Sequence, residues 1–227
     1  FLFRIATSIS RKIIPTVILD IPKYGCINIH GSILPKYRGA SPVQAAIKAG
    51  ETETWLTIMY MSEGMDEWDM LAVGKVKVDN VDNSQDIFKK FVKIGPELLV
   101  STLRWVVSGA IVWVSQDDTK ATYCSKISRE DGQVFFQKQT AQDIYNTYRA
   151  YTPWPGIYTW YNEKRLVLEE VEFYDETAPW FEAWKMLKNG KKIGVVCRDG
   201  KILEIKKVKL EWKKSMDILS FLNGNRE

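Results

Sequence analysis

The spacing of apolar and polar positions changes character about halfway along the chain. The first half mixes short apolar runs with helical periods. Thr16–Ile21 is an apolar run, punctuated by Pro22 and Gly25. Cys26–His30 is a short strand-like run closed by Gly31, and Val43–Ala49 has helical spacing that stops at Gly50. Trp55–Met61 is almost continuously apolar and rich in strand formers, which predicts a strand buried on both faces. Leu71–Val78 alternates and predicts a second strand. The longest helical stretch is Ser84–Ser108, where Ile87, Phe91, Ile94, Leu98 and Val106 recur at three and four, with Ser84 as its expected cap. Pro96 is expected to kink this helix or divide it.

Beyond Ser108 the texture is different. Residues 110–127 are polar and aperiodic around Gln116–Lys120 and read as a linker. Ala141–Ala150 predicts a helix, and short strands follow at Leu166–Tyr174, Ile193–Cys197 and Ile202–Val208, with a hairpin signal at Asp199-Gly200. The expected organisation is therefore an α/β domain over 1–109, a linker over 110–127 and a small β-barrel over 128–227.

Composition narrows the classes. Of 227 residues, 45% are hydrophobic and 26% charged, which suits a globular chain and excludes long disorder. No apolar run approaches the roughly 18 residues of a membrane span. The three cysteines, Cys26, Cys124 and Cys197, are far apart and in no metal spacing, as expected of reduced thiols in the cytoplasm. A single histidine excludes a multi-histidine metal site, and no metal is expected. The net charge of +4 is too small to demand a nucleic-acid partner.

Candidate chemistry concentrates in Asn28-Ile29-His30-Gly31-Ser32-Ile33-Leu34-Pro35-Lys36-Tyr37-Arg38-Gly39-Ala40-Ser41-Pro42. Asn28 and His30 are two apart, so on a strand they share a face. They lie at the strand's carboxyl end, where parallel α/β sheets place ligand sites. An amide donor beside an imidazole suits an oxyanion site for acyl transfer. A second polar group, Gly64-Met65-Asp66-Glu67-Trp68-Asp69, follows the buried strand, and Asp69 is the carboxylate expected to swing back to His30. Residue types alone leave open the plainer role of a capping or packing histidine at a strand end.

The string N-x-H-G-S-x-L-P-x-x-R-G-A-x-P, with Asp69 following in D-x-x-D-M-L, resembles the formyltransferase superfamily that uses 10-formyltetrahydrofolate. Tyr151-Thr152-Pro153-Trp154-Pro155-Gly156 and the closing Phe221-Leu222-Asn223-Gly224 resemble the C-terminal domain of the methionyl-tRNA formyltransferase family. The resemblance runs from about Ile13 to the end. It implies a doubly wound formyltransferase domain followed by a small OB-like barrel. It also implies formyl transfer from 10-formyltetrahydrofolate to initiator methionyl-tRNA in translation initiation, by a monomeric cytoplasmic enzyme. The implied catalytic residues are Asn28, His30 and Asp69. The implied folate contacts are Ser32, Ile33, Leu34 and Pro35, with Ile13 and Ile14 along the pterin. Sugar-nucleotide N-formyltransferases share the first motif and remain an alternative, as does an inactive tRNA-binding fragment.

For the tRNA, Lys36 and Arg38 are expected at the acceptor end, beside the reaction centre. From Lys185 to Lys214 there are eleven basic residues against three acidic ones, and this segment, Lys206 and Lys209 included, is expected to form one phosphate-binding face. A solvated basic surface is the plainer reading. The chain departs from the resembled family in two respects. Only 27 residues precede Asn28 where the family has several βα units, so the chain is expected to lack the first half of the sheet. Trp55, Trp68 and Trp212 also stand where the family has glycine, which suggests a gene in which UGA specifies glycine.

Overall fold

A computed structural model describes residues 2–7, 14–178, 180–190 and 192–225. The chain divides into two compact units, one formed by 1–47 and 51–127, the other by 48–50 and 128–227.

The first unit is built on a four-stranded sheet. Strand β1 (Arg4–Thr7) leads to a single helical turn, α1 (Thr16–Leu19), and to β2 (Cys26–His30). A two-residue strand, β3 (Arg38–Gly39), and helix α2 (Pro42–Lys48) follow. Next come β4 (Glu53–Tyr60), β5 (Met70–Lys77) and the long helix α3 (Ser84–Ser108). The sheet order is β1-β2-β4-β5; β1 and β2 are parallel, and the other two pairings are antiparallel. Along β2, Ile27 pairs with Tyr60, Asn28 with Met59 and His30 with Thr57. Because side chains alternate along a strand, this register gives Asn28 and His30 one face while Ile27 takes the other. Ile27 and Ile58, both fully buried, form a core with Leu71 and Val106, so apolar burial holds β2 in register.

Helix α3 runs unbroken through Pro96 rather than dividing there. The missing Pro96 N–H removes one intrahelical bond, but the apolar stripe of α3 packs on the sheet on both sides of it: Leu98, Leu99 and Leu103 lie against the core, and Ile87 and Phe91 are buried in the preceding turns. The N-cap is Asn83, not Ser84. Its side chain accepts from the Gln85 and Asp86 backbone N–H groups, and Asp86 answers to the Asn83 N–H. Such a reciprocal box is worth about 1 kcal/mol.

The segment 110–127, which reads as a linker in sequence, packs on the first unit. Val114 and Met70 exchange two backbone hydrogen bonds of 2.9 Å, and β6 (Tyr123–Cys124) pairs parallel to β3. Its polar residues bond to the β4–β5 loop and to Arg38, which is why no apolar period marks it.

The second unit contains α4 (Ala141–Tyr151), capped by a Thr140–Asp143 box, and the strands β7 (Ile157–Tyr161), β8 (Lys164–Thr177), β9 (Met186–Asn189) and β10 (Lys192–Val196). Strands β11 (Lys201–Leu210) and β12 (Met216–Asp217) and helix α5 (Ile218–Gly224) complete it. The strands form one antiparallel sheet, β7-β8-β11-β10-β9 with β12 added to β11, in keeping with a small barrel. Its core takes Phe136 and Ile144 from outside the sheet, Ile157, Leu168, Leu203 and Val208 from the strands, and Phe221 from α5. The Asp199-Gly200 turn joins β10 to β11, with Gly200 at φ 73°.

Candidate active site

Asn28 and His30 close β2 side by side, 5% and 0% exposed. The imidazole is anchored by the main chain: its Nε2 lies 2.9 Å from the Tyr37 carbonyl oxygen. A carbonyl only accepts, so Nε2 carries the donated hydrogen and Nδ1 is the ring nitrogen left to face the site. Tyr37 is itself held, in a left-handed conformation at φ 59°, by a hydrogen bond from its N–H to Thr122 Oγ1.

The carboxylate brought to this pair is Asp66, not Asp69. Asp66 Oδ1 accepts from Asn28 Nδ2 at 3.1 Å, and Oδ2 accepts from the Gly39 N–H at 3.0 Å. Asp66 Oδ2 also lies 3.5 Å from His30 Nδ1, an ion-pair distance that makes no hydrogen bond. Asn28 Oδ1 and His30 Nδ1 are both buried and, among the described residues, have no hydrogen-bond partner. Two such orphaned atoms in one place are costly unless something polar enters between them.

Asp69 takes another role. Its carbonyl accepts from the Tyr60 N–H, which closes the loop as β5 begins, and its carboxylate accepts from Ser115 Oγ at 2.8 Å. The two aspartates are three residues apart in an irregular loop, so no strand or helix period distinguishes them from sequence. The turn is made at Asp66, whose φ is 54°. Gly39 permits the close approach: it sits at φ 116°, and a Cβ there would lie 2.2 Å from the Cys124 carbonyl oxygen.

The other expected contacts divide. Ser32 is buried and donates to the Lys36 carbonyl oxygen at 2.6 Å, so its hydroxyl shapes the loop. Leu34 is buried, while Ile33, Pro35 and Ile14 are half-buried; Ile13 lies outside the described residues. Lys36 is exposed, but Arg38 is 1% exposed and therefore is not positioned to meet an acceptor stem. Its guanidinium bonds to Gln116 Oε1 (3.0 and 2.8 Å), Asp118 Oδ1 (2.6 Å) and the Tyr123 hydroxyl (3.5 Å). Three neighbouring acceptors explain this burial, since a lone guanidinium inside would be very costly.

Among the described residues of the basic segment, two lysines have acidic partners. Lys206 is paired with Glu172, which holds its ammonium pKa above the usual lysine range, and Lys192 lies 3.6 Å from Glu204. Lys207 pairs in register with Glu170 across the sheet, and Lys209 is exposed. Of the three tryptophans at expected glycine positions, Trp212 is left-handed, at φ 63°, and 91% exposed. Trp184, which sequence did not single out, is left-handed too, at φ 84°. Trp55 lies on β4 with the Lys75 ammonium over its ring, and Trp68 is half-exposed.

Comparison with known proteins shows the family of the chain. Residues 5–103 match the family described as formyl transferase, and 126–226 the formyl transferase C-terminal domain. A methionyl-tRNA formyltransferase from Acidobacterium capsulatum is 37% identical over 94% of this chain and 68% of its own length. Among solved structures, HypX from Aquifex aeolicus in complex with tetrahydrofolic acid superposes with a TM-score of 0.71 at 18% identity, over 97% of this chain and 38% of HypX. A methionyl-tRNA formyltransferase from Clostridium thermocellum gives 0.59 at 20% identity, over 92% and 77%. The chain belongs to the methionyl-tRNA formyltransferase family.

Proposed function

We propose that this protein transfers a formyl group from 10-formyltetrahydrofolate to the α-amino group of initiator methionyl-tRNA, with Asn28, His30 and Asp66 as its reaction centre. The observation that carries the reading is the pair of orphaned buried atoms, Asn28 Oδ1 and His30 Nδ1, gathered around one carboxylate. They fit a reacting centre that brings its own donors and acceptors, as a formyl group and an amine do. The folate supplies an activated formyl group, and its half-buried neighbours here would be Ile33, Pro35 and Ile14.

Asn28 has one amide hydrogen on Asp66 and a second to offer to the formyl oxygen as charge develops there. One such donor contributes about 3 kcal/mol to the transition state. The net reaction moves one proton from the attacking amine to the departing nitrogen. His30 Nδ1 is placed to relay it, because Nε2 is tied to the Tyr37 carbonyl. Asp66 compensates the ring's positive charge while both nitrogens are protonated.

In this reading the unit 128–227 contacts the tRNA backbone. Support comes from exposed Lys209 and from Lys213 and Lys214, also exposed, rather than from Lys206, whose charge Glu172 already balances. The protein acts as a monomer in the cytoplasm. A formyl-transfer assay offering methionyl-tRNA or an amino-sugar nucleotide tests the assignment. Formylmethionyl-tRNA is the expected product, lost in His30→Ala; transfer to the sugar nucleotide alone overturns the reading.

A further inference from the structure

We infer that Gln116 is a positioning residue for the reaction, holding the Asp66 loop so that its carboxylate meets His30 and Asn28. This rests on the functional reading above, but it is carried by a separate set of contacts. Gln116 Nε2 donates to two carbonyl oxygens of the loop, Asp66 O at 2.9 Å and Trp68 O at 2.7 Å. Gln116 Oε1 accepts from two nitrogens of buried Arg38, Nε at 3.0 Å and Nη2 at 2.8 Å. The two ends of the amide therefore cannot exchange. A flipped amide would set NH₂ against a guanidinium and oxygen against two carbonyls, four interactions of the wrong sign.

The loop needs such a clamp. Asp66 sits at φ 54°, a conformation that a non-glycine residue adopts only at a cost. Its carboxylate is drawn toward Gly39 and Asn28, while Gln116 holds its carbonyl from the other side. Asp118 holds Arg38 at 2.6 Å, so the chain of contacts runs Asp118, Arg38, Gln116, Asp66, His30. Gln116 touches no reacting atom. Its contribution is to fix where the carboxylate stands, and a misplacement of about 1 Å at such a centre costs roughly a hundredfold in rate.

His30 is the one histidine of the sequence, so its imidazole gives a single, unambiguous ring signal in NMR. That signal reads the Asp66–His30 geometry without requiring turnover. Two variants bear on the inference. Gln116→Met removes both ends of the clamp at similar size. Gln116→Glu keeps an acceptor for Arg38, so it protects folding, but sets a carboxylate oxygen against the two loop carbonyls. Both are expected to displace the His30 ring signal at fixed pH and to lower kcat about 30- to 100-fold, with KM for either substrate changed less than about threefold. Ser115→Ala, which alters the same strap through Asp69, should leave kcat within about twofold. Should Gln116→Met fail to fold, Gln116→Glu carries the test. A folded Gln116→Glu with an unmoved His30 signal overturns the inference, as does a Ser115→Ala loss equal to that of the Gln116 variants. If the protein transfers no formyl group to methionyl-tRNA yet the His30 signal moves as stated, the functional reading fails and the positioning role stands.

Discussion

Replacing Asp66 and Asp69 separately by asparagine distinguishes the two carboxylates of the β4–β5 loop. Asp66 faces three groups: Asn28 Nδ2 at 3.1 Å, the Gly39 N–H at 3.0 Å and His30 Nδ1 at 3.5 Å. An asparagine there has one carbonyl oxygen for two donors, so its NH₂ must turn to Asn28 or to Gly39, and the charge facing His30 is gone. A hydrogen bond to a charged group contributes about 1.5–3 kcal/mol, and a buried donor left without an acceptor costs about 1–3 kcal/mol. If the transition state loses one interaction of the oxyanion-site class, about 2.7–4 kcal/mol, kcat falls about 100- to 1000-fold. Asp69→Asn keeps a carbonyl oxygen to accept from exposed Ser115 and keeps its backbone bond to Tyr60, so it only weakens one surface bond, by about 1 kcal/mol or less. Its expected effect on kcat is about fivefold or less. Single-turnover formyl transfer at saturating methionyl-tRNA measures both, with circular dichroism confirming that each variant is folded. An Asp69→Asn loss equal to or larger than that of Asp66→Asn would refute the assignment of Asp66.

Three further outcomes follow from other parts of the structure. Gly39→Ala should destabilise the first unit and abolish turnover, because its Cβ would lie 2.2 Å from the Cys124 carbonyl oxygen at φ 116°; thermal melting with full activity would count against this packing. Trp212→Gly should stabilise the protein by about 1 kcal/mol, since the indole is 91% exposed and its backbone sits at φ 63°; an unchanged or lower melting midpoint would contradict that reasoning. Charge reversal at Lys209 should weaken tRNA binding and flatten its salt dependence, while reversal at Lys206 alone should do less, because Lys206 already faces Glu172; equal effects in a filter-binding series across salt would contradict that difference.

The sequence determined the elements whose pattern is local. The strand at 26–30 is where its alternation puts it, and the face shared by Asn28 and His30 follows from a period of two. The helix over 84–108 follows from spacing at three and four, carried through Pro96 by apolar packing that a proline rule cannot weigh. Motif strings brought the family into view because they are contiguous.

What only the tertiary structure decided concerns contacts between segments far apart in the chain. Nothing in Asp66-Glu67-Trp68-Asp69 says which carboxylate turns inward; that depends on a left-handed turn and on the Gly39 N–H reached across 27 positions. Nothing in Arg38 says that it is buried, because its acceptors come from residues 116, 118 and 123. The polar texture of 110–127 resembles a linker for the same reason: its polar groups are spent on the loop and on Arg38, and such pairings leave no period in the sequence. Periodicity records which side of an element is buried, whereas a catalytic site is assembled from side chains and carbonyls that meet only when the chain has closed around them.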